Sequence, residues 1–294
     1  MSLEIVSRSC PFCFLQDKKL NLEINSKATY SDFTEKELKI IWNDFPNKKF
    51  FFPYYRCECG GLYNKEYFSI KSLNELYSKM TENVFIEKNL DIKTKISYIS
   101  ILSQNGSFNN VLEIGPDNGS FAENLIKQKI VKNIDFVEPN MVMHSKLKKI
   151  SKNPIFQNIY EINNNSKYDL VIGIHVFDHI SDIKNCITKL NSLLNNKGVI
   201  FGVVHNEKSL LAKIFANKWP AYHILHPHLF NTDSISLPFK NFGFEQIFIK
   251  KTLNYLNVSY LLEHLITAIF NKKVNIFPLL ELPVKIGNFA FCLK

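Results

Sequence analysis

One stretch restricts the fold more than any other: Asn110-Val111-Leu112-Glu113-Ile114-Gly115-Pro116-Asp117-Asn118-Gly119-Ser120-Phe121. An apolar run ending at Glu113 is followed by a turn with two glycines. A helical pattern then starts near Ser120, with Phe121 and Leu125 inward. Strand, loop and helix in this order place a ligand at the carboxyl end of the first strand of a doubly wound sheet. Gly115 and Gly119 let the backbone approach that ligand without a Cβ between them. A glycine turn by itself marks any α/β fold, but the downstream pattern narrows the reading. Ile134 to Asn140 is a second buried run ending in Glu138, roughly 20 residues past the loop, where a carboxylate can accept from both hydroxyls of a ribose. Tyr168 to His175 is continuous enough for a central parallel strand. Ile183, Cys186, Ile187, Leu190 and Leu194 mark a helix that stops at Asn196-Lys197-Gly198, and Val199 to Val204 is the next strand. Ahead of the loop, Ile92, Ile96, Ile99 and Leu102 fall at helical spacing, and that helix ends near Gly106.

Cysteine spacing defines a second region. Cys10 and Cys13 form a Cys-Pro-x-Cys knuckle, and Cys57 and Cys59 lie in Tyr-x-Arg-Cys-x-Cys-Gly, whereas Cys186 and Cys292 stand alone. Two such knuckles bring four thiolates around one structural zinc, and four thiolates leave no open position for catalysis. The second pair departs from Cys-x-x-Cys by one residue, which tightens its turn. Phe50 to Tyr55 is a β-prone lead-in, Thr34 to Trp42 a short amphipathic helix, and Ser69 to about Met80 a second helical stretch. Residues 1–75 are therefore read as a zinc-ribbon-like module and residues 76–294 as the larger domain. With no Pro/Gly/Ser-rich linker between them, the module is expected to pack on the domain.

The chain of 294 residues, 46% hydrophobic, is long enough for both. Its net charge of +9 would suit a nucleic-acid partner, but only Arg8 and Arg56 among 36 basic residues carry the guanidinium that reads phosphates and bases. Residues 1–75 are nearly neutral, with 11 basic and 10 acidic side chains. Both facts count against nucleic acid. The longest apolar stretch, Thr252 to Phe270, is broken by Glu263 and His264, so no transmembrane segment is expected. The first residues lack the pattern of a secretory signal, and a cytoplasmic protein is the expectation.

Taken together, Glu-x-Gly-x-x-x-Gly, strand-final Glu138 and Tyr-Asp-Leu-Val ahead of His-Val-Phe-Asp-His resemble class I S-adenosylmethionine-dependent methyltransferases over about residues 90–250. The knuckles resemble those of methyltransferases with an N-terminal zinc-binding motif, several of which act on nucleotide-linked deoxysugars. The resemblance implies a Rossmann-like, doubly wound, seven-stranded sheet whose last strand is antiparallel, here Leu282 to Cys292. It implies cofactor contacts from Glu113, Gly115 and Gly119, ribose binding by Glu138, and a place beside the methyl donor for His175. Asp117 stands where the family usually has glycine.

An acceptor hydroxyl or acidic carbon needs a base, and His175, His179, His205, His223, His226 and His228 are concentrated where one belongs. His228 matches a family histidine in the substrate-facing segment, and His179 follows Asp178 where the family commonly has Glu-His. These two are the expected catalytic residues, with Tyr222 and His223 as lining. His223, His226 and His228 are an alternative metal set, short of nearby carboxylates. Val258 to Phe270 carries a helical stripe, read as a helix inserted near 253–271. The expected activity is methyl transfer to a small molecule, with a nucleotide-activated sugar as one class. The alternatives are an RNA methyltransferase or a non-catalytic binding protein of the same fold.

Overall fold

The structure is a computed structural model that describes residues 3–16, 18–43, 50–80, 88–257, 262, 281–285 and 287–294. Its first elements surround the cysteine pairs. β1 (Ile5–Ser7) pairs antiparallel with β5 (Glu66–Phe68), while β2 (Leu20–Ile24), β3 (Tyr54–Cys57) and β4 (Leu62–Asn64) form consecutive antiparallel neighbours. Helix α1 (Glu35–Asn43) starts at a reciprocal cap: Thr34 N–H donates to Glu37 Oε2 at 2.8 Å, and Glu37 N–H to Thr34 Oγ1 at 3.3 Å. It buries Leu38, Ile41 and Trp42, and Trp42 stands edge-on to Phe68 and to Tyr77 of α2 (Ile70–Ser78). Residue 75 lies inside α2.

Next come α3 (Lys88–Leu102), β6 (Phe108–Ile114), α4 (Ser120–Lys127), β7 (Val131–Val137), α5 (Met141–Ile150), β8 (Ile155–Phe156), β9 (Tyr168–Ile174), α6 (Ile183–Leu193) and β10 (Leu194–His205). After α7 (Leu210–Phe215) follow β11 (His228–Leu229), α8 (Leu237–Lys240), β12 (Gln246–Lys251), β13 (Asn254–Asn257), β14 (Glu281–Val284) and β15 (Asn288–Leu293). Seven strands form one sheet in the order β12-β15-β10-β9-β6-β7-β8. The five from β10 to β8 are parallel to their neighbours, and β15 runs antiparallel between β10 and β12. The expected seven-stranded, doubly wound sheet with an antiparallel last strand is therefore present. Alternate residues serve opposite faces: Val111, Leu170 and Ile172 pack with α3, α4 and α5, whereas Leu112 and Val171 pack with α6 and α8. The chain moves outward from β6 to β8 and then returns to place β9 on the other side of β6. In open α/β sheets such a reversal is the place where ligands bind, outside the carboxyl ends of the strands.

Three elements differ from the expected pattern. The last strand, expected from Leu282 to Cys292, is Asn288–Leu293, because Leu282–Val284 pairs with β13 instead. β10 begins at Leu194, ahead of Val199, because Leu194 already pairs with Tyr168 before a register shift. The helix expected near 253–271 does not begin where it was placed: Asn254–Asn257 is a strand paired with Glu281–Val284. Leu253, Tyr255, Leu256 and Val258 follow neither period strictly, and the partner strand decides. Of the remainder, Leu262 is helical and the other residues of that expected helix lie outside the described ones.

The elements around the cysteine pairs pack against later parts of the chain. β11 adds to the module's own sheet beside β4, with His228 opposite Tyr63 and Leu229 opposite Leu62. Asn64 N–H donates to Pro227 O at 2.9 Å, and the hydroxyls of Tyr54 and Tyr67 donate to His226 O and Ile224 O, each at 2.6 Å.

Candidate active site and cysteine centre

Between β6 and α4 the chain turns through three residues with positive φ: Gly115 (62°), Asp117 (52°) and Gly119 (76°). Glycine adopts that region freely; aspartate is among the few side chains that tolerate it. Asp117 therefore keeps the turn that a glycine would make. The two glycines are also required by packing. A Cβ on Gly115 would lie 2.7 Å from Val176 Cγ2, and one on Gly119 would lie 2.3 Å from Ile150 Cδ1 of α5. A side chain makes a close approach to each.

Glu138 follows β7 and is buried, with Oε1 accepting from Asn140 N–H at 2.9 Å and Oε2 from Asp117 N–H at 3.2 Å. An ionised carboxylate offers about four acceptor positions, so each oxygen keeps one for a hydroxyl, which fits a ribose. Burial pushes Glu138 up to about 7 despite the two backbone donors. Glu113, near the end of β6, is also buried, and its Oε2 has no hydrogen-bond partner among the described residues. Burial raises it to about 8, against the opposing pull of Lys95. The residues present therefore fit an adenosyl cofactor: a glycine turn and a carboxylate with free acceptor positions, both at the carboxyl ends of strands beside the reversal.

Beyond β9, the backbone at His175 has a φ of 54°, which turns the chain into the loop that carries Phe177, Asp178 and His179. Asp178 has no exposed surface, and its Oδ2 accepts from His205 Nδ1–H at 2.6 Å, at the end of β10. His205 packs against His175 and His226, with ring centroids 4.7 and 4.9 Å away, and His179 stands edge-on to His226 at 4.5 Å. Four imidazoles thus surround one carboxylate. Burial works to raise Asp178, but the charge and hydrogen bond of His205, with His226 and His179, hold it well below the carboxylate range. Burial also pushes His175 down to about 3 and His226 to about 4, and lowers His179 well below the ordinary imidazole value.

The two expected catalytic histidines differ in their surroundings. His179 belongs to the cluster, with its Nδ1 3.4 Å from the Tyr77 hydroxyl. His228 does not: it has no exposed surface, its ring lies edge-on to Phe12 and Phe230, and its Nε2–H donates to Phe177 O at 2.9 Å. It ties β11 to the loop before Asp178. His223, His226 and His228 do not converge as a set, since His226 alone joins the cluster around Asp178.

At the other end of the module, Cys10, Cys13, Cys57 and Cys59 place their sulfurs within 4.8 Å of one another. Cys10 Sγ lies 3.6 Å from Cys59 Sγ, and Cys13 Sγ lies 3.9 Å from Cys57 Sγ. Four ligands at the usual Zn–S length of about 2.3 Å have sulfurs about 3.8 Å apart, so the donor set fits zinc. The shortened knuckle closes through Gly60, at a φ of 92°, whose N–H donates to Cys57 O at 2.8 Å. Gly61 then lies flat against Phe12, leaving no room for a Cβ.

Sequence reasoning missed the Asp178–His205 pair and both arginines. Arg8 donates to Ser181 O and Pro227 O, each at 2.9 Å; Arg56 grips Glu23 and the buried Glu207, at 2.6 and 2.8 Å. Their scarcity was a signal: where lysine supplies nearly every cation, a guanidinium marks a place needing several rigid donors.

A family model described as a methyltransferase domain matches residues 85–247. No curated protein matches the chain. A chain from the complex of the Haloferax volcanii Trm112 methyltransferase activator with a methyltransferase superposes with a TM-score of 0.51 at 10% identity, over 70% of this chain and 92% of that one. The N-methyltransferase NodS from Bradyrhizobium japonicum WM9, solved with S-adenosyl-L-homocysteine, gives 0.49 at 11% identity, over 75% and 95%. An S-adenosylmethionine-dependent methyltransferase from Clostridium acetobutylicum gives 0.45 at 14%, over 76% and 98%. At such identities the first of these is a likeness of fold. The family match covers more than half of the chain, from the approach to α3 into β12, and includes the glycine turn, Glu138 and the whole histidine cluster; the chain belongs to the methyltransferase-domain family of enzymes.

Proposed function

We propose that the protein transfers a methyl group from S-adenosylmethionine to a small-molecule acceptor, with a nucleotide-activated sugar as the first class to screen. The observation that carries this reading is that Glu138 and the Asp178–His205 pair both stand at the carboxyl ends of the parallel strands, beyond β7 on one side of β6 and beyond β9 and β10 on the other. S-adenosylmethionine, when bound, supplies a methyl group on a positively charged sulfur that leaves as a neutral thioether. Glu138 accepts hydrogen bonds from the ribose, and His175, at the end of β9, borders the reacting region. Asp178 holds His205 through Nδ1–H, which leaves Nε2 to take the acceptor's proton. His205 is about a quarter exposed, whereas His228 is sealed among aromatic rings, so the base in this reading is His205, with His179 beside it. Residues 1–75 act as a structural zinc module for 76–294: four thiolates hold the metal, and β4 holds β11 in place.

Calorimetric titration with S-adenosyl-L-homocysteine tests the reading. Binding is expected for the wild type and is lost in Glu138→Ala. The carboxylate must be ionised to accept both hydroxyls, so affinity should fall as pH drops through about 7. A folded wild-type protein that binds no S-adenosyl-L-homocysteine at pH 8 would overturn the proposal.

A further inference from the structure

We infer that Asp178, His179 and His226 form a second metal site, for a divalent transition-metal ion, separate from the four cysteines. One donor atom from each lies within 4.8 Å of the other two. The carboxylate is half used: Oδ2 accepts from His205, while Oδ1 is buried and has no partner among the described residues. A buried carboxylate oxygen left without a partner costs free energy that a cation would recover.

Both imidazoles are already oriented. His226 Nδ1–H donates to Ala221 O at 2.7 Å, and a carbonyl can only accept, so the lone pair of His226 is on Nε2. His179 Nδ1 faces the Tyr77 hydroxyl at 3.4 Å, which leaves its Nε2 for a ligand as well. Anchoring one ring nitrogen to a protein oxygen while the other binds metal is the usual arrangement of a metal-ligating histidine. One side chain also links the segments carrying these ligands. Arg8 donates to Ser181 O, just beyond Asp178 and His179, and to Pro227 O, next to His226.

Two imidazoles and a carboxylate suit zinc, manganese or iron(II) better than magnesium or calcium. Three protein ligands leave open positions for water or a substrate oxygen, unlike the closed tetrathiolate. A neighbouring set, His175, Asp178 and His205, shares the same carboxylate, but there Asp178 and His205 already satisfy each other. The inference concerns binding and does not depend on methyl transfer.

The test is cobalt(II) titration of the full-length protein after its cysteine centre has been filled with zinc. Wild type should take up one further equivalent and develop ligand-field absorption without thiolate charge-transfer bands. His226→Gln and His179→Gln should each weaken that uptake by more than the ~10–100-fold typical of a lost supporting residue, while circular dichroism stays native. Because two variants from different segments are used, a folding failure in one leaves the other decisive. Wild-type protein that takes up no second equivalent, or folded variants that bind it as tightly as wild type, would overturn the site.

Discussion

The two polar clusters of this molecule were built in opposite ways. The four cysteines come from two short turns, each complete within four residues, and one strand pairing brings the turns together. The histidine cluster takes its members from the ends of β9 and β10 and from the segment before β11, none of which signals the others in sequence. Local chemistry announces itself through spacing. Chemistry assembled by topology does not, and its stability is spread over many supports.

Cys13→Ser should break the first cluster with the largest effect expected here. A structural zinc site contributes folding energy directly, so zinc content should fall to zero with a loss of at least about 5 kcal/mol in urea unfolding. If the variant keeps full stability, the cysteines are bystanders, and the contrast between the two clusters disappears.

Glu113→Gln tests whether a residue legible in sequence is also legible in state. Burial raises Glu113 from an ordinary value near 4.5 to about 8, so the folded chain holds a proton that the unfolded chain has lost across that window. Its contribution is therefore complete below about pH 4.5 and declines as pH rises toward 8. At ~1.4 kcal/mol per pH unit, the loss reaches about 4 kcal/mol. The stability difference between wild type and Glu113→Gln should swing by that amount between pH 5 and 8.5, in favour of the variant at high pH. A difference independent of pH would mean that Glu113 is ionised in the fold.

Arg8→Met should give the smallest change and sharpen the contrast most. It removes charged donors from Ser181 O and Pro227 O while leaving the four sulfurs in place. Hydrogen bonds from a charged group are worth about 2 kcal/mol, and a loss of that order is expected with the zinc retained. Unchanged stability would show that the pairing of β11 with β4 holds the histidine segments unaided.

These contrasts explain what the sequence disclosed. The turn from Ile114 to Ser120 and the helix after Thr34 were legible because period and turn chemistry agree locally, whereas the final strand was read by resemblance and placed too early, over residues that belong to β14. His228 was read as facing substrate by resemblance, since a two-residue strand has no pattern of its own to say that it pairs with Tyr63. Asn254–Asn257 was read into a helix because its partner lies far along the chain. Asp178 was noticed for its neighbour His179, while its real companion, His205, ends a different strand.

The addition of β11 to the module's sheet also affects the order of events during synthesis. Chain made on a ribosome presents β2, β3, β4 and all four knuckle cysteines early, so metal capture can begin at once. The outer edge of β4 stays bare until residues 228 and 229 emerge, more than half of the chain later. An uncovered edge is a template for the wrong strand. The newborn protein thus passes through a long interval in which the edge of β4 is exposed to mispairing, and a metal held by the four thiolates would be the main restraint during it.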